Sequence, residues 1–217
     1  PQDNHYEMGQ RVTKIRSAYR RALANPVFNI ESIWQQYEIF ERGLVDASNK
    51  ILAERLLKET QPVAMANRTL ARELQPMVHN LIQYDLLAIP VKYDYSQKYQ
   101  KQLHLWKKII KWEIEQTTSN IEQVKRKARV RFQYKRCLCT LRHFPTIWYE
   151  FAKYEFSTKD VDAAISVYQL SSIALPENLM LGLAHCDFLE QAKKLKKCQQ
   201  LYKKLQEETS KPLVWIQ

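Results

Sequence analysis

Apolar and polar positions along the chain alternate with the period of an α-helix, and they do so in copies. In IWQQYEIFE (Ile33 to Glu41) aromatics fall at Trp34, Tyr37 and Phe40, followed by a carboxylate at Glu41. LWKKIIKWE puts Trp106, Ile109, Trp112 and Glu113 in the same slots, and IWYEFAKYE puts Trp148, Phe151, Tyr154 and Glu155 there. Offsets of three, six and seven from the first aromatic lie along one stripe of a helix. A weaker copy, LAHCDFLE, aligns Leu183, Cys186, Leu189 and Glu190, and LVWIQ begins another at Trp215. The first positions are separated by 72, 42, 35 and 32 residues. The first interval is about twice the others, so a degenerate or rebuilt repeat is expected between Glu41 and Leu105. Periods in the thirties and low forties belong to solenoids of helical hairpins.

A second motif interleaves with the first. AYRRAL, QYKRCL, VYQLSS and LYKKLQ centre on Tyr19, Tyr134, Tyr168 and Tyr202, each some fifteen residues before the next copy of the first motif. The rhythm is a helix A with the aromatic stripe, a turn, a helix B with the Tyr, and a second turn. Pro26, Pro145, Pro176 and Pro212 fall in the B-to-A turns, where a residue without an N–H sets a helix boundary. The pattern predicts helices over 8–24, 29–43, 45–60, 63–88, 97–117, 119–143, 147–157, 160–174, 177–191 and 193–209. Pro76 is expected to kink or break the fourth. Residues 84–100 read as an irregular connector or an insertion, because the repeat resumes in register after them. The fold class is all-α, an α-α superhelical solenoid running through 1–217 as one array.

Each hairpin carries an apolar face that it cannot bury alone, so stacking demands the same anchors in every copy. The anchors are Tyr19, Trp34, Tyr37, Phe40, Trp106, Trp112, Tyr134, Trp148, Phe151, Tyr154, Tyr168, Leu183 and Tyr202, with Trp112 expected to be as buried as Trp148. A buried ring contributes on the order of 2–3 kcal/mol. The recurring Glu is expected to bond the B-helix Tyr hydroxyl or a basic residue such as Arg21 or Arg136, the alternative being a solvated carboxylate.

Composition narrows the picture. The 217 residues hold three Gly and eight Pro, too few Gly for the tight hairpins of a sandwich or barrel. No apolar run approaches the roughly 18 residues of a membrane span. The chain opens on Pro1 and stops inside a helix A motif, which reads as an internal piece of a longer array. Cys137, Cys139, Cys186 and Cys198 form no C-x-x-C pair, and free thiols suit a reducing compartment. The five His pair with no Cys or His at metal-ligand spacing, and no phosphate-binding or nucleophile-elbow motif is present. His185 beside Cys186 points about 100° away from it on a helix, which disfavours a dyad. The sequence thus suggests no enzyme, no catalytic residues, no metal and no cofactor.

Charge adds one candidate surface. The formal net charge is +11, and KRKARVRFQYKRCLCTLR (Lys125 to Arg142) holds eight Lys or Arg and no Asp or Glu. At 100° per residue Val130, Tyr134, Cys137, Leu138 and Leu141 share a face that should be buried. Lys125, Arg129 and Arg136 fall opposite, and Arg131, Lys135 and Arg142 form a second stripe beside them. The stripes are either a solvated face or a docking surface for an acidic partner segment or RNA phosphates. Phe132 is assigned to a packing seam. With no aromatic then left on the basic face to stack a base, protein is favoured over RNA.

The two interleaved motifs resemble the half-a-tetratricopeptide (HAT) repeat, with its aromatic-rich helix A ending in Glu and its Tyr-bearing helix B. RSAYRRALANPVFNIESIWQQYEIFE, with Asn25-Pro26 and Asn29-Ile30-Glu31 before the Trp34 motif, is similar to the suppressor-of-forked family. ANRTLAREL, LWKKIIKWE and FPTIWYEFAKYE match in the same order. That family comprises the large HAT subunit of the cleavage stimulation factor and its fungal counterparts. The resemblance implies a nuclear, non-enzymatic scaffold for pre-mRNA 3′-end cleavage and polyadenylation, with other protein subunits as partners and a homodimer for the full-length protein. The alternatives are a HAT scaffold of splicing or ribosome assembly, or an array that binds RNA through its basic surface.

Overall fold

The computed structural model describes residues 2–44, 47–81, 96–116 and 123–208. Among them are nine helices and no strand: α1 (Gln2–Leu23), α2 (Ile30–Arg42), α3 (Ala47–His79), α4 (Gln97–Glu115), α5 (Gln123–Thr140), α6 (Pro145–Ser157), α7 (Val161–Ala174), α8 (Leu179–Gln191) and α9 (Leu195–Glu208). They fall into two compact units, Pro1–Leu81 and Ile82–Gln217.

In the first unit α1 packs on α2 and α3, and α2 packs on α3. The core is Leu23, Ile30, Tyr37, Leu57 and Ala64, with Tyr19, Val27, Ile33, Trp34 and Phe40 half-buried around it. Asn67 of α3 closes the corner: its Nδ2 donates to the carbonyls of Leu23 (3.0 Å) and Val63 (3.1 Å).

The sequence predicts a break near residues 61–62 and a kink or break at Pro76, yet α3 runs through both Pro62 and Pro76, so neither proline breaks it. Its buried residues explain why. Ala53, Leu57, Thr60, Ala64, Asn67, Ala71, Leu74 and Val78 recur at alternating steps of four and three, with Leu70 buried beside them, so one buried stripe crosses both prolines in unbroken register. Each proline loses a backbone hydrogen bond, but both lie on the exposed side, where water can reach the carbonyl left unpaired. The extra repeat expected between Glu41 and Leu105 is thus, in its described part, a single long helix.

In the second unit each helix packs on the next in sequence, from α4 to α9, and α6 also touches α8. That is the arrangement of hairpins stacked A on A. Pro145 opens α6, and Pro26 and Pro176 lie in the turns before α2 and α8; Pro212 is outside the described residues. The A-to-B turns after α6 and α8 share one construction. Lys159 (φ 61°) and Lys193 (φ 57°) adopt the left-handed conformation. Asp160 N–H then donates to Glu155 O at 3.0 Å, and Lys194 N–H to Leu189 O at 2.8 Å. Both are Schellman closures with Lys where Gly is usual. Asp160 and Asn178 cap the next helices by accepting from Ala163 N–H and Leu181 N–H. The connector predicted over 84–100 lies outside the described residues up to 95, while Gln97–Gln100 are the first turn of α4. Among the described residues every element is a helix, as the all-α class expects.

Candidate interaction surface

The repeat motif is read out as a set of contacts. Tyr19 of α1 lies 5.5 Å from the Tyr37 ring and 5.8 Å from Phe40. Tyr134 of α5 stacks on Phe151 at 4.7 Å and sits 5.8 Å from Tyr154. In both units the B-helix Tyr wedges between the second and third aromatics of the following A helix. Tyr37, Trp106, Tyr134, Trp148, Phe151, Tyr168 and Leu183 are buried; Tyr19, Trp34, Phe40, Trp112, Tyr154 and Tyr202 are half-buried. Trp112, expected to match Trp148, keeps an edge in solvent, as Tyr154 and Phe40 do in the same slot. Trp148 Nε1 donates to Arg142 O at 2.7 Å.

The recurring Glu is an internal ion-pair partner. Glu41 accepts from Arg16 Nε and Nη2, each at 2.8 Å. Glu155 accepts from Arg131 Nε and Nη2, each at 2.6 Å. Both carboxylates are almost fully buried. Neither Arg21 nor Arg136 is the partner, and the Tyr hydroxyls are not: Tyr134 Oη donates to Glu150 O at 3.4 Å. Arg16 and Arg131 stand three residues before the B-helix Tyr, so IRSAYRRAL and VRFQYKRCL share the signal Arg-x-x-Tyr. That recurrence was readable and points to a fork-to-carboxylate pair one turn along the helix. Glu113 has a different partner: Arg129 Nη2 of the following helix lies 2.8 Å from its Oε1. Burial pushes the Glu113 carboxyl up against the pull of Arg129.

The fourth copy was aligned one residue late. Tyr168 stacks on His185 at 4.8 Å and lies 5.5 Å from Phe188, and Leu189, not Glu190, holds the Schellman carbonyl that Glu155 holds in α6. The slots are therefore Gly182, His185, Phe188 and Leu189. Gly182 replaces the Trp because α9 comes close: a Cβ there would stand 2.9 Å from Leu205 Cδ2. Three residues before Tyr168 the Arg has become Ile165. This copy thus puts two buried apolar side chains, Ile165 and Leu189, where the others put an ion pair.

The buried face expected for α5 is present: Val130, Tyr134, Cys137, Leu138 and Leu141 are all buried. Its basic stripes are divided. Arg129 is buried against Glu113, and Arg131 turns inward to Glu155 and to Asp160, whose Oδ2 lies 2.6 Å from its Nη2. Lys127 reaches the same Asp160 at 3.2 Å. This cluster, led by the Arg131 hydrogen bond, holds the Asp160 carboxyl down at about 2. Arg136 is half-buried, its guanidinium 5.6 Å from the Trp106 ring and 5.8 Å from Phe132. Lys125 and Lys135 are exposed. Arg142 is exposed too but lies past the end of α5 at Thr140, so it leaves the stripe. Phe132, assigned to a seam, is 60% exposed.

The remaining candidates hold no assembled chemistry. Burial lowers His185 to about 4 and raises Cys186 to about 12, so both are neutral at ordinary pH. Among the described residues no group of His, Cys, Asp or Glu is placed to hold a metal, and no helix is long and apolar enough to cross a membrane. An open groove of about 810 Å³ between α2 and α3 is lined by Trp34, Glu38, Arg42, Leu57 and Lys58 among others, with charges of both signs.

Comparison with known proteins places this architecture. Over residues 1–213 the chain matches the family model "Suppressor of forked protein". It is 30% identical over 207 residues to "Cleavage stimulation factor subunit 77" of Arabidopsis thaliana, covering 95% of this chain and 27% of that protein. It is 31% identical over 186 residues to "mRNA 3'-end-processing protein rna14" of Aspergillus oryzae, covering 83% and 17%. The chain thus spans about a quarter or less of the curated relatives it matches. The crystal structure of CstF-77 shares its fold, with a TM-score of 0.55 at 17% identity over 96% of this chain and 49% of that one. The Arg-x-x-Tyr and aromatic-Glu pairs, the all-α hairpins and the match along nearly the whole sequence agree, and the chain belongs to the suppressor of forked family.

Proposed function

We propose that this chain is a HAT-repeat segment of a nuclear, non-enzymatic scaffold that holds together subunits of the pre-mRNA 3′-end cleavage and polyadenylation machinery. The observation that carries the reading is membership of a family whose similar members are named as a cleavage stimulation factor subunit and as mRNA 3′-end-processing proteins. The use made of the repeat residues supports it. The aromatic slots and the Arg–Glu pairs are occupied by neighbouring helices, which makes a stiff array whose outer faces remain for other subunits. Full-length protein forms a homodimer in this reading, and it needs no metal or cofactor.

The test is an extract depleted of the full-length protein and assayed for cleavage of a pre-mRNA at its poly(A) site. Wild-type full-length protein restores cleavage and co-purifies with the other processing subunits. Trp148→Asp, which breaks the array, does neither, whereas His185→Ala, which removes the most perturbed imidazole, restores both. Full restoration by protein lacking residues 97–208 overturns the scaffold role of this segment. Sedimentation of the full-length protein at the mass of a single copy overturns the dimer.

A further inference from the structure

We propose that the outward face of α5 centred on Phe132 binds single-stranded RNA, a base stacking on the Phe132 ring while a backbone phosphate pairs with Lys135 beside it. Three observations meet there. Phe132 is 60% exposed, whereas Val130, Tyr134 and Leu138 of the same helix are buried. Arg136, one turn on, holds its guanidinium 5.8 Å from the Phe132 ring and 5.6 Å from Trp106, and its Nη1 donates to Gln133 Oε1 at 3.3 Å, which sets a cation against the ring. Lys135 is exposed beside the ring and has no carboxylate partner among the described residues.

The three inward cations matter for the same reason. Lys127, Arg129 and Arg131 are matched by Asp160, Glu113 and Glu155. What the helix shows to solvent around Phe132 is therefore an aromatic, the guanidinium over it and Lys135, with no acid on α5 itself. An acidic peptide would use the charges but gives the ring no partner of its own shape. A nucleobase uses both, since every base has a π-face and every linkage a phosphate. Lys, a strongly hydrated point charge, suits a phosphate without demanding a fixed approach. The ligand is read by stacking and charge, so sequence preference is low.

This inference does not depend on the scaffold reading, and its assay contains no processing subunit. Anisotropy is measured on a labelled twelve-nucleotide oligouridylate and on an abasic strand of equal length, using the whole chain. Oligouridylate binds more tightly than the abasic strand. Phe132→Ala weakens oligouridylate binding about five- to hundredfold, the range for loss of one stacked base, and leaves the abasic strand unchanged. Phe132→Trp retains affinity, and Phe132→Leu, which keeps apolar area without a π-face, behaves like Phe132→Ala. Lys135→Ala lowers the salt slope by about 0.7, one phosphate on a single strand. Equal binding of the two strands, or full affinity in Phe132→Leu, overturns the proposal. So does unchanged RNA binding in Phe132→Ala alongside lost co-purification of a processing subunit, which assigns the face to a protein. Circular dichroism checks each variant, and should Phe132→Ala lose helicity, Phe132→Leu carries the test alone.

Discussion

Removing Arg131 should damage the array far more than removing both members of its pair. In α6 the Glu155 carboxylate is 1% exposed and takes two hydrogen bonds from Arg131 at 2.6 Å. With Arg131→Ile alone that carboxylate stays buried without its cation. Breaking a buried pair from one side costs about 3–5 kcal/mol, because the remaining ion has lost its hydration and has no compensation. The next repeat shows the remedy. At the equivalent positions it carries Ile165 and Leu189, 5% and 2% exposed. The double variant Arg131→Ile with Glu155→Leu therefore copies a solution that this fold already uses, and replacing a buried pair by apolar residues of similar volume is often neutral or stabilising.

The reading is a double-mutant cycle by urea denaturation at neutral pH. The single variant loses about 3–5 kcal/mol, and the double variant returns to within about 1 kcal/mol of wild type. Asp160 limits the recovery, since it loses one of its partners but keeps Lys127 and the Ala163 N–H that it caps. If the double variant is as unstable as the single, the pair is not interchangeable with Ile and Leu, and the reasoning fails.

Trp148→Ala removes a 6%-exposed indole and its bond to Arg142 O, and should cost about 3–5 kcal/mol in the same assay. Pro62→Ala restores a helical hydrogen bond on the exposed side of α3 and should raise stability, by up to about 3 kcal/mol; a loss would mean that the proline shapes the helix. Gly182→Leu drives a side chain into Leu205, already 2.9 Å from a Cβ, and should cost about 1–3 kcal/mol, whereas the tip of Leu205 can yield to Gly182→Ala at little cost. Asp160 has a folded value of about 2, below the ordinary carboxyl value of about 4. Its contribution is thus complete above pH 4 and lost as pH falls toward 2, a dependence that Asp160→Asn should remove from the acid unfolding curve.

What the sequence made legible was set by side chains that do one thing. Trp148 and Phe151 serve as packing anchors and Pro145 and Pro176 open or precede a helix, so the hairpin rhythm followed from spacing, while the family followed from the resemblance of motifs such as Asn25-Pro26, Asn29-Ile30-Glu31 and FPTIWYEFAKYE. Residues with two possible uses were the ones misread. A proline ends a helix or sits on its wet side, and only the continuous stripe from Ala53 to Val78 decides which. An arginine faces water or a buried carboxylate, and a helical wheel of α5 alone assigns Arg129 and Arg131 outward because it does not contain Glu113 or Glu155, which lie on neighbouring helices. The fourth repeat was shifted by one because its strongest apolar residue, Leu183, does not occupy the Trp slot; the contact of α9 with Gly182 does. The same limit acted on Phe132. Aromaticity predicted burial, but both sides of α5 are already filled, by α4 and α6. A ring of that size on the third side has no helix among the described residues to cover it, and the lysine and arginine beside it decide what kind of surface it makes.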